Sequence, residues 1–194
     1  MLHRIKQFVK AVLFSTVHFV GKSKIGAYIF ELIVNASMQA TQKITHSKIS
    51  LIFSVSNQLN RYRVDSFSTK EPETLEWIDS FPRGSVVWDI GANVGLYSCY
   101  AAQARGCKVF SFEPSVFNLE LLARNIFLNS LTASVTIIPL PLSHSLAFNT
   151  LNMTSMEWGG HCLPLAKNTD GMVRKSKKYL SFRLWAFPPT MLYD

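Results

Sequence analysis

Two acids and two glycines are the residues whose types and spacing best suit a site for a nucleotide-like ligand. Asp89 follows the apolar run 86–88, and Gly91 and Gly95 come shortly after it with Asn93 between them. Glycine lets a ligand approach the backbone, because it carries no side chain. Glu113 lies 22 positions after Gly91, a spacing at which an acid can accept hydrogen bonds from ribose hydroxyls.

The pattern of this loop argues against a dinucleotide as the ligand. A G-x-G-x-x-G loop would need glycine at the positions of Gly91, Asn93 and Leu96, and only the first is glycine. Asp89 would also repel a pyrophosphate, whereas it suits a ligand with a cationic head. S-adenosylmethionine carries a sulfonium and an ammonium and no phosphate, so the loop favours it over a nicotinamide dinucleotide.

Alternating strand and helix patterns predict the elements that position these residues. Apolar runs predict strands that end near Asp89, over 107–113 and over 135–140, and helices over 96–105 and from Ser115 to Asn129. The core side of the second helix is predicted to hold Leu119, Leu122, Ala123 and Ile126. Strand–helix units in succession predict an α/β fold with a parallel, doubly wound sheet flanked by helices. Further helices are predicted over 1–20, 25–40 and 72–79, and β-prone segments over 48–55, 146–153 and 180–187.

The motifs in this region resemble those of one enzyme family. Residues 89–95 read D-I-G-A-N-V-G, residues 112–114 read F-E-P, and asparagines follow at 118, 125 and 129. This combination closely resembles the FkbM-type S-adenosylmethionine-dependent methyltransferases, over roughly residue 67 to the end. The resemblance implies a Rossmann-like class I methyltransferase fold and O-methylation of a hydroxyl on a sugar or natural product, with a small molecule or glycan as the acceptor.

The resemblance also implies roles for individual residues in cofactor binding. Asp89 would orient the methionine end of the cofactor, and Glu113 would bind the ribose hydroxyls. The loop after the third predicted strand would lie near the adenine. The residues expected to bind S-adenosylmethionine are therefore Asp89, Gly91, Ala92, Asn93, Gly95, Glu113, Pro114 and Ser143. No general base is identified, although His144 and His161 follow the third predicted strand and are candidates.

One feature argues against full activity of this chain. The family continues with a further strand that carries an acid-rich motif, and this sequence reaches Asp194 without one. We therefore expect the cofactor-binding part of a longer enzyme or of a shortened relative, with weak or no activity. A non-catalytic Rossmann-like module whose basic N-terminus associates with membranes is the alternative.

The positive charge of the chain is confined to its first third. The net charge is +8, and residues 1–70 hold ten basic and two acidic residues, whereas residues 71–194 hold ten of each. The charge therefore belongs to a basic, mainly helical extension over 1–66, and a methyltransferase-like domain is expected over 67–194. Because residues 71–194 have no net charge, we expect no nucleic-acid partner. Arg61 and Arg63 flank Tyr62 in a surface segment or in one that contacts a phosphate or sugar.

Residues 1–20 have the spacing of an amphipathic helix with basic residues on its polar side. Such a helix can lie on an anionic membrane surface or pack on the rest of the protein. Lys10 and His18 interrupt the apolar run, and no secretory cleavage site follows it. The three cysteines show no metal-binding spacing, so we expect no metal and reduced thiols in a cytoplasmic protein that could contact a membrane peripherally.

Overall fold

The computed structural model describes residues 2–143, 145–153, 158–160 and 180–186. The chain divides into two compact units, residues 1–40 and 41–194. The boundary between residues 66 and 67 was predicted from where the resemblance to the FkbM-type family begins. It stays a prediction.

The first unit contains two helices, α1 (Leu2–Gly21) and α2 (Lys24–Gln39). The side chain of Ser23 caps α2 by accepting a hydrogen bond of 3.0 Å from the backbone N–H of Gly26. A Cβ on the buried Gly26 would lie 2.0 Å from the carbonyl oxygen of Val20, so glycine lets the first turn of α2 lie against the end of α1. Among the described residues, no helix is long and apolar enough to cross a membrane.

The second unit begins with an antiparallel pair of strands, β1 (Thr41–His46) and β2 (Ile49–Ser54). Ser47 and Lys48 connect them with positive φ angles of 46° and 70°, as a two-residue hairpin turn requires. The segment 48–55 was predicted as a strand, which is confirmed, but β1 was not predicted. Three short helices follow: α3 (Gln58–Asp65), α4 (Phe67–Lys70) and α5 (Pro72–Asp79).

A parallel three-stranded sheet in the order β3-β4-β5 follows, with every neighbouring pair parallel. Its strands and helices are β3 (Val86–Ile90), α6 (Leu96–Arg105), β4 (Lys108–Phe112), α7 (Val116–Leu128) and β5 (Val135–Ile138). The predicted α/β fold with a parallel sheet and helices is therefore confirmed. The strands β6 (Ala147–Met153) and β7 (Leu180–Ala186) form a separate antiparallel pair.

The buried side of α7 differs from the predicted one. Leu122 and Ile126 are buried as predicted, but Leu119 is only half-buried and Ala123 is exposed. Two asparagines, Asn118 and Asn125, take buried positions instead, with exposures of 1% and 0%. The prediction assigned polar residues to the surface. These asparagines are buried because their side chains make hydrogen bonds in the interior.

Asn125 of α7 and Asn129, which follows the helix, also bind the backbone of β2. The Oδ1 of Asn125 accepts from the N–H of Ser54 at 2.8 Å. One turn further on, Asn129 accepts from the N–H of Ile52 at 2.8 Å and donates to its carbonyl oxygen at 2.7 Å. Asn125 also donates to the carbonyl oxygen of Val94 at 2.7 Å. A single side chain thus connects the first strand pair to the loop that follows β3.

Candidate functional site

The loop after β3 has a backbone conformation that few residues adopt. Gly91, Asn93 and Gly95 all have positive φ angles, of 83°, 52° and 81°. The backbone N–H groups of Gly91 and Ala92 donate to the carbonyl oxygen of Phe112 at 2.9 and 3.0 Å. The loop is therefore attached to the carboxyl end of the neighbouring strand, where open α/β sheets bind their ligands.

The two glycines of the loop are required for different reasons. A Cβ added to Gly91 would meet no atom within 4 Å, so this position faces open space beside the backbone. A Cβ added to Gly95 would lie 2.3 Å from Cδ1 of Leu122, so this position is needed for the packing of α7. Gly91 therefore leaves room for a ligand. At Gly95, by contrast, a side chain would clash with Leu122.

Asp89 lies at the carboxyl end of β3 as a half-buried acid. Its Oδ2 accepts from the hydroxyl of Ser98 at 2.5 Å, and that hydroxyl lies 2.7 Å from the hydroxyl of Ser111. Burial raises the pKa of Asp89, and the hydrogen bonds from Ser98 act in the opposite direction. A cationic group beside this carboxylate would stabilise its ionised form.

Glu113 lies directly behind the loop and is only 3% exposed. Its Oε2 accepts from the N–H of Asn93 at 2.8 Å, and its Oε1 accepts from the N–H of Ser115 at 2.8 Å. Burial raises the pKa of Glu113, opposed by these two hydrogen bonds and by one from the Asn118 side chain. The side chain therefore holds the loop in shape.

A cavity of about 320 Å³ opens beside the loop. One wall comes from the predicted motif, and the other comes from α3, α4 and the start of α6. The motif wall consists of Asp89, Ile90, Gly91, Ala92, Asn93 and Val94. The opposite wall consists of Arg63, Ser66, Phe67, Lys70, Glu71, Leu96 and Tyr97. Four of the predicted cofactor residues thus line the same space.

Arg63 is the functional candidate that the sequence left undecided. It is half-buried and donates from Nη2 to the carbonyl oxygen of Gly159. Burial lowers the pKa of Arg63, while the charges of Glu113 and Glu71 raise it. A solvated surface was one interpretation of this segment, and it describes Arg61 and Tyr62, which are exposed. The separation of 96 residues between Arg63 and Gly159 explains why no local pattern revealed the cavity.

The segment Trp158–Gly160 lies on the same side of the sheet and is held by side chains. Asn118 accepts from the N–H of Gly159 at 3.0 Å and donates to the carbonyl oxygen of Gly160 at 3.2 Å. Asn93 donates to the same oxygen at 3.3 Å. Because Asn93 and Asn118 also bind Glu113, the Gly160 carbonyl lies next to the acid that was predicted to bind ribose.

The remaining predicted residues lie outside the described cavity lining. Gly95 packs against Leu122, and Glu113 accepts a hydrogen bond from the loop. Pro114 and Ser143 are half-buried and do not line the cavity. His144 and His161 lie outside the described residues. The structure therefore unites Asp89 with residues 91–93, while the cofactor roles of the other predicted residues stay predictions.

Comparison with known proteins gives distant structural similarities. No family model matches the sequence, and no curated protein is similar to it. A SAM-dependent methyltransferase from Agrobacterium tumefaciens is 14% identical over 51% of this chain and 32% of its own, with a TM-score of 0.39. M. jannaschii TYW2 in complex with AdoMet is 20% identical over 50% of this chain and 42% of its own, with a TM-score of 0.35. The M. jannaschii tRNA m1G37 methyltransferase is 20% identical over 50% of this chain and 28% of its own, with a TM-score of 0.36. The matched region therefore spans less than half the length of each of these proteins.

Proposed function

We propose that the cavity beside Asp89 binds S-adenosylmethionine and that the protein is an S-adenosylmethionine-dependent methyltransferase. One observation carries the proposal. Asp89 and the backbone of residues 91–93 form one wall of a cavity at the carboxyl end of a parallel strand. This is the place and the residue pattern that the resemblance to the FkbM-type enzymes implies for the cofactor.

The charges in the cavity fit the two charged groups on the α-carbon of the methionine moiety. Asp89 would bind the ammonium, because a half-buried carboxylate whose pKa is raised by burial gains most from a nearby cation. Arg63 and Lys70 on the opposite wall would bind the carboxylate of the same moiety. Gly91 leaves the backbone open between these groups.

Glu113 fits the ribose with one condition. Each of its carboxylate oxygens accepts one backbone N–H, and a carboxylate oxygen can accept a second hydrogen bond. Because Glu113 is 3% exposed, ribose hydroxyls can reach it only after the groups that cover it shift. We include Pro114 and Ser143 in this part of the site by resemblance alone.

We further propose a hydroxyl of a sugar or natural product as the methyl acceptor, by the same resemblance. S-adenosylmethionine would supply the methyl group. The residues of this chain would contribute alignment and charge placement, which are the main protein contributions to such a transfer.

Calorimetric titration of the full chain with S-adenosylhomocysteine tests the cofactor proposal. We expect binding by the parent chain and affinity about tenfold lower or more in Asp89→Asn, because a charged hydrogen bond contributes about 1.5–3 kcal/mol. Glu76→Gln changes an exposed acid on α5 and serves as the matched control. Failure of a chain that circular dichroism shows to be folded to bind, or equal affinity in Asp89→Asn, would refute the proposal. NAD should give no heat of binding.

A further inference from the structure

Both helices of the first unit carry large apolar side chains that are exposed. Phe8, Phe19 and Ile25 are 70%, 77% and 76% exposed. Others on α1 and α2 with at least 42% exposure are Ile5, Val9, Val12, Leu13, Phe14, Val17, Val20, Tyr28, Ile29, Leu32, Ile33 and Val34. An apolar surface of this extent on a protein marks a place where another molecule binds.

Most of the large apolar residues of α1 lie on one side of the helix, away from its basic residues. With about 100° of rotation per residue, the apolar residues Ile5, Phe8, Val9, Val12, Leu13, Phe19 and Val20 fall on one side. Arg4 and Lys10 fall on the opposite side together with Phe14, and Lys6 and Val17 fall on the border between the two. A helix of this kind suits a boundary between apolar and aqueous surroundings, with its axis parallel to that boundary.

The charge of the two helices selects an anionic partner. Residues 2–39 contain five basic residues and one acid, Glu31. The ion pairs among the described residues, Lys70–Glu71 and Arg124–Glu120, involve none of these groups. A second copy of the chain would bring the same positive charge to the contact, which disfavours self-association. A bilayer with anionic lipids offers both an apolar interior and negative head groups.

The turn between the helices is hydrogen-bonded, and both helices belong to one compact unit. Ser23 caps α2 and donates from its hydroxyl to the carbonyl oxygen of Val20 at 2.9 Å. Phe30 lies so close to Gly21 that a Cβ there would be 2.9 Å from its ring. Two cations, Lys22 and Lys24, flank this turn.

We propose that α1 and α2 together form a docking surface for an anionic lipid bilayer. Their apolar side chains enter the boundary between head groups and acyl chains, and Arg4, Lys6, Lys10, Lys22 and Lys24 contact the lipid phosphates. The inference extends the expectation for residues 1–20 to the two-helix segment 2–39, and it is independent of the proposed methyltransferase function.

Sedimentation of the full chain with lipid vesicles tests this proposal. Vesicles of phosphatidylcholine alone are compared with vesicles that also contain phosphatidylserine, at low and high salt. We expect binding to the anionic vesicles at low salt. The affinity for neutral vesicles, and for anionic vesicles at high salt, should be lower by about tenfold or more. Equal binding to both vesicle types, or no binding by a folded chain, would overturn the proposal.

Matched variants assign the binding to the two helices. The triple variant Lys6→Gln, Lys10→Gln, Lys24→Gln should bind anionic vesicles about 100-fold more weakly, because each basic residue near the surface contributes about 1 kcal/mol, a factor of about five. The control variant Lys43→Gln, Lys48→Gln, Arg83→Gln removes three exposed charges from the second unit and should bind as the parent does. An equal loss in the control would overturn the proposal, as would a stable dimer in sedimentation velocity with no vesicle binding.

Discussion

The carboxylate of Glu113 accepts a hydrogen bond of 2.8 Å from the backbone N–H of Asn93. This contact joins the end of β4 to the residue of the loop that has a φ angle of +52°. The other carboxylate oxygen accepts from the N–H of Ser115 before α7. The acid predicted to bind ribose therefore also determines the shape of the loop.

Removing this carboxylate should affect both stability and ligand binding. Glu113→Ala leaves the buried N–H groups of Asn93 and Ser115 without their acceptor, which should lower the free energy of unfolding by about 1–3 kcal/mol. It should also weaken binding of S-adenosylhomocysteine. Urea denaturation and calorimetry measure the two effects, with Glu76→Ala as the exposed control. Unchanged stability and affinity would show that Glu113 has neither role.

Alanine at the two loop glycines should separate packing from ligand access. Both substitutions require a positive φ, at a cost of about 1–2 kcal/mol. Gly95→Ala also brings a Cβ within 2.3 Å of the Leu122 side chain, so it should lower the free energy of unfolding more than Gly91→Ala does. Gly91→Ala should lose only the stability that the positive φ costs, and it should also reduce S-adenosylhomocysteine affinity. A larger destabilisation by Gly91→Ala would contradict the geometry described for the loop.

The buried Asn125 of α7 should contribute more to the free energy of unfolding than Asn129, one turn further on. Asn125→Ala leaves the N–H of Ser54 and the carbonyl oxygen of Val94 unpaired in the interior, at about 1–3 kcal/mol for each group. Asn129→Ala breaks hydrogen bonds to Ile52 that are exposed, so water can replace them. Thermal and urea unfolding of the two variants compare these costs. Equal destabilisation would mean that burial does not decide the difference.

The sequence predicted the sheet well because its signals are local. Apolar runs such as 86–88 and 135–138 marked the strands, and α6 begins and ends where it was predicted, with Gly106 closing it in a left-handed conformation. The strand β1 was missed because its sequence, T-Q-K-I-T-H, is largely polar and only every second residue is half-buried.

The second wall of the cavity could not be predicted for a different reason. Arg63 binds a carbonyl group 96 residues later in the chain, and Asn118 and Asn125 are buried by long-range hydrogen bonds. Periodicity assigns polar residues to the surface, so it placed Ala123 in the core instead of these asparagines. Asp89 and the loop glycines were recognisable because the conformation of this loop depends on residues close together in sequence.

The stability of the fold should depend on pH through Asp89. Its pKa is raised above the ordinary 3.8, so the folded state binds more protons than the unfolded state just above that pH. The free energy of unfolding should therefore fall as pH rises from about 4 through the raised pKa, and the loss should persist above it. Asp89→Asn should reduce this slope while weakening ligand binding, and the raised pKa of Glu113 should leave a smaller slope of the same sign. Urea unfolding across this pH range measures both, and an unchanged slope in Asp89→Asn would contradict the assignment.

Arg63 should bind the ligand, whereas Arg61 should not. Arg63→Ala removes a cation from the cavity wall, so it should weaken S-adenosylhomocysteine binding by about tenfold or more. Arg61→Ala makes the same chemical change at an exposed position of the same helix and should bind as the parent does. Decarboxylated S-adenosylhomocysteine should bind the parent and Arg63→Ala with similar affinity. If Arg63→Ala weakens both ligands equally, its contribution is to the fold of the cavity and not to the ligand carboxylate.

The most direct test of the cofactor site is a titration of the ¹⁵N-labelled chain with S-adenosylhomocysteine, followed by amide resonances. The account predicts saturable shifts in the cavity walls, at the amides of Gly91, Asn93 and Tyr97 and of Arg63 and Lys70. The amides of β1, none of whose residues lines the cavity, should stay unchanged. A folded chain whose spectrum does not change, or whose shifts avoid residues 89–97, would contradict the assignment of this cavity to S-adenosylmethionine.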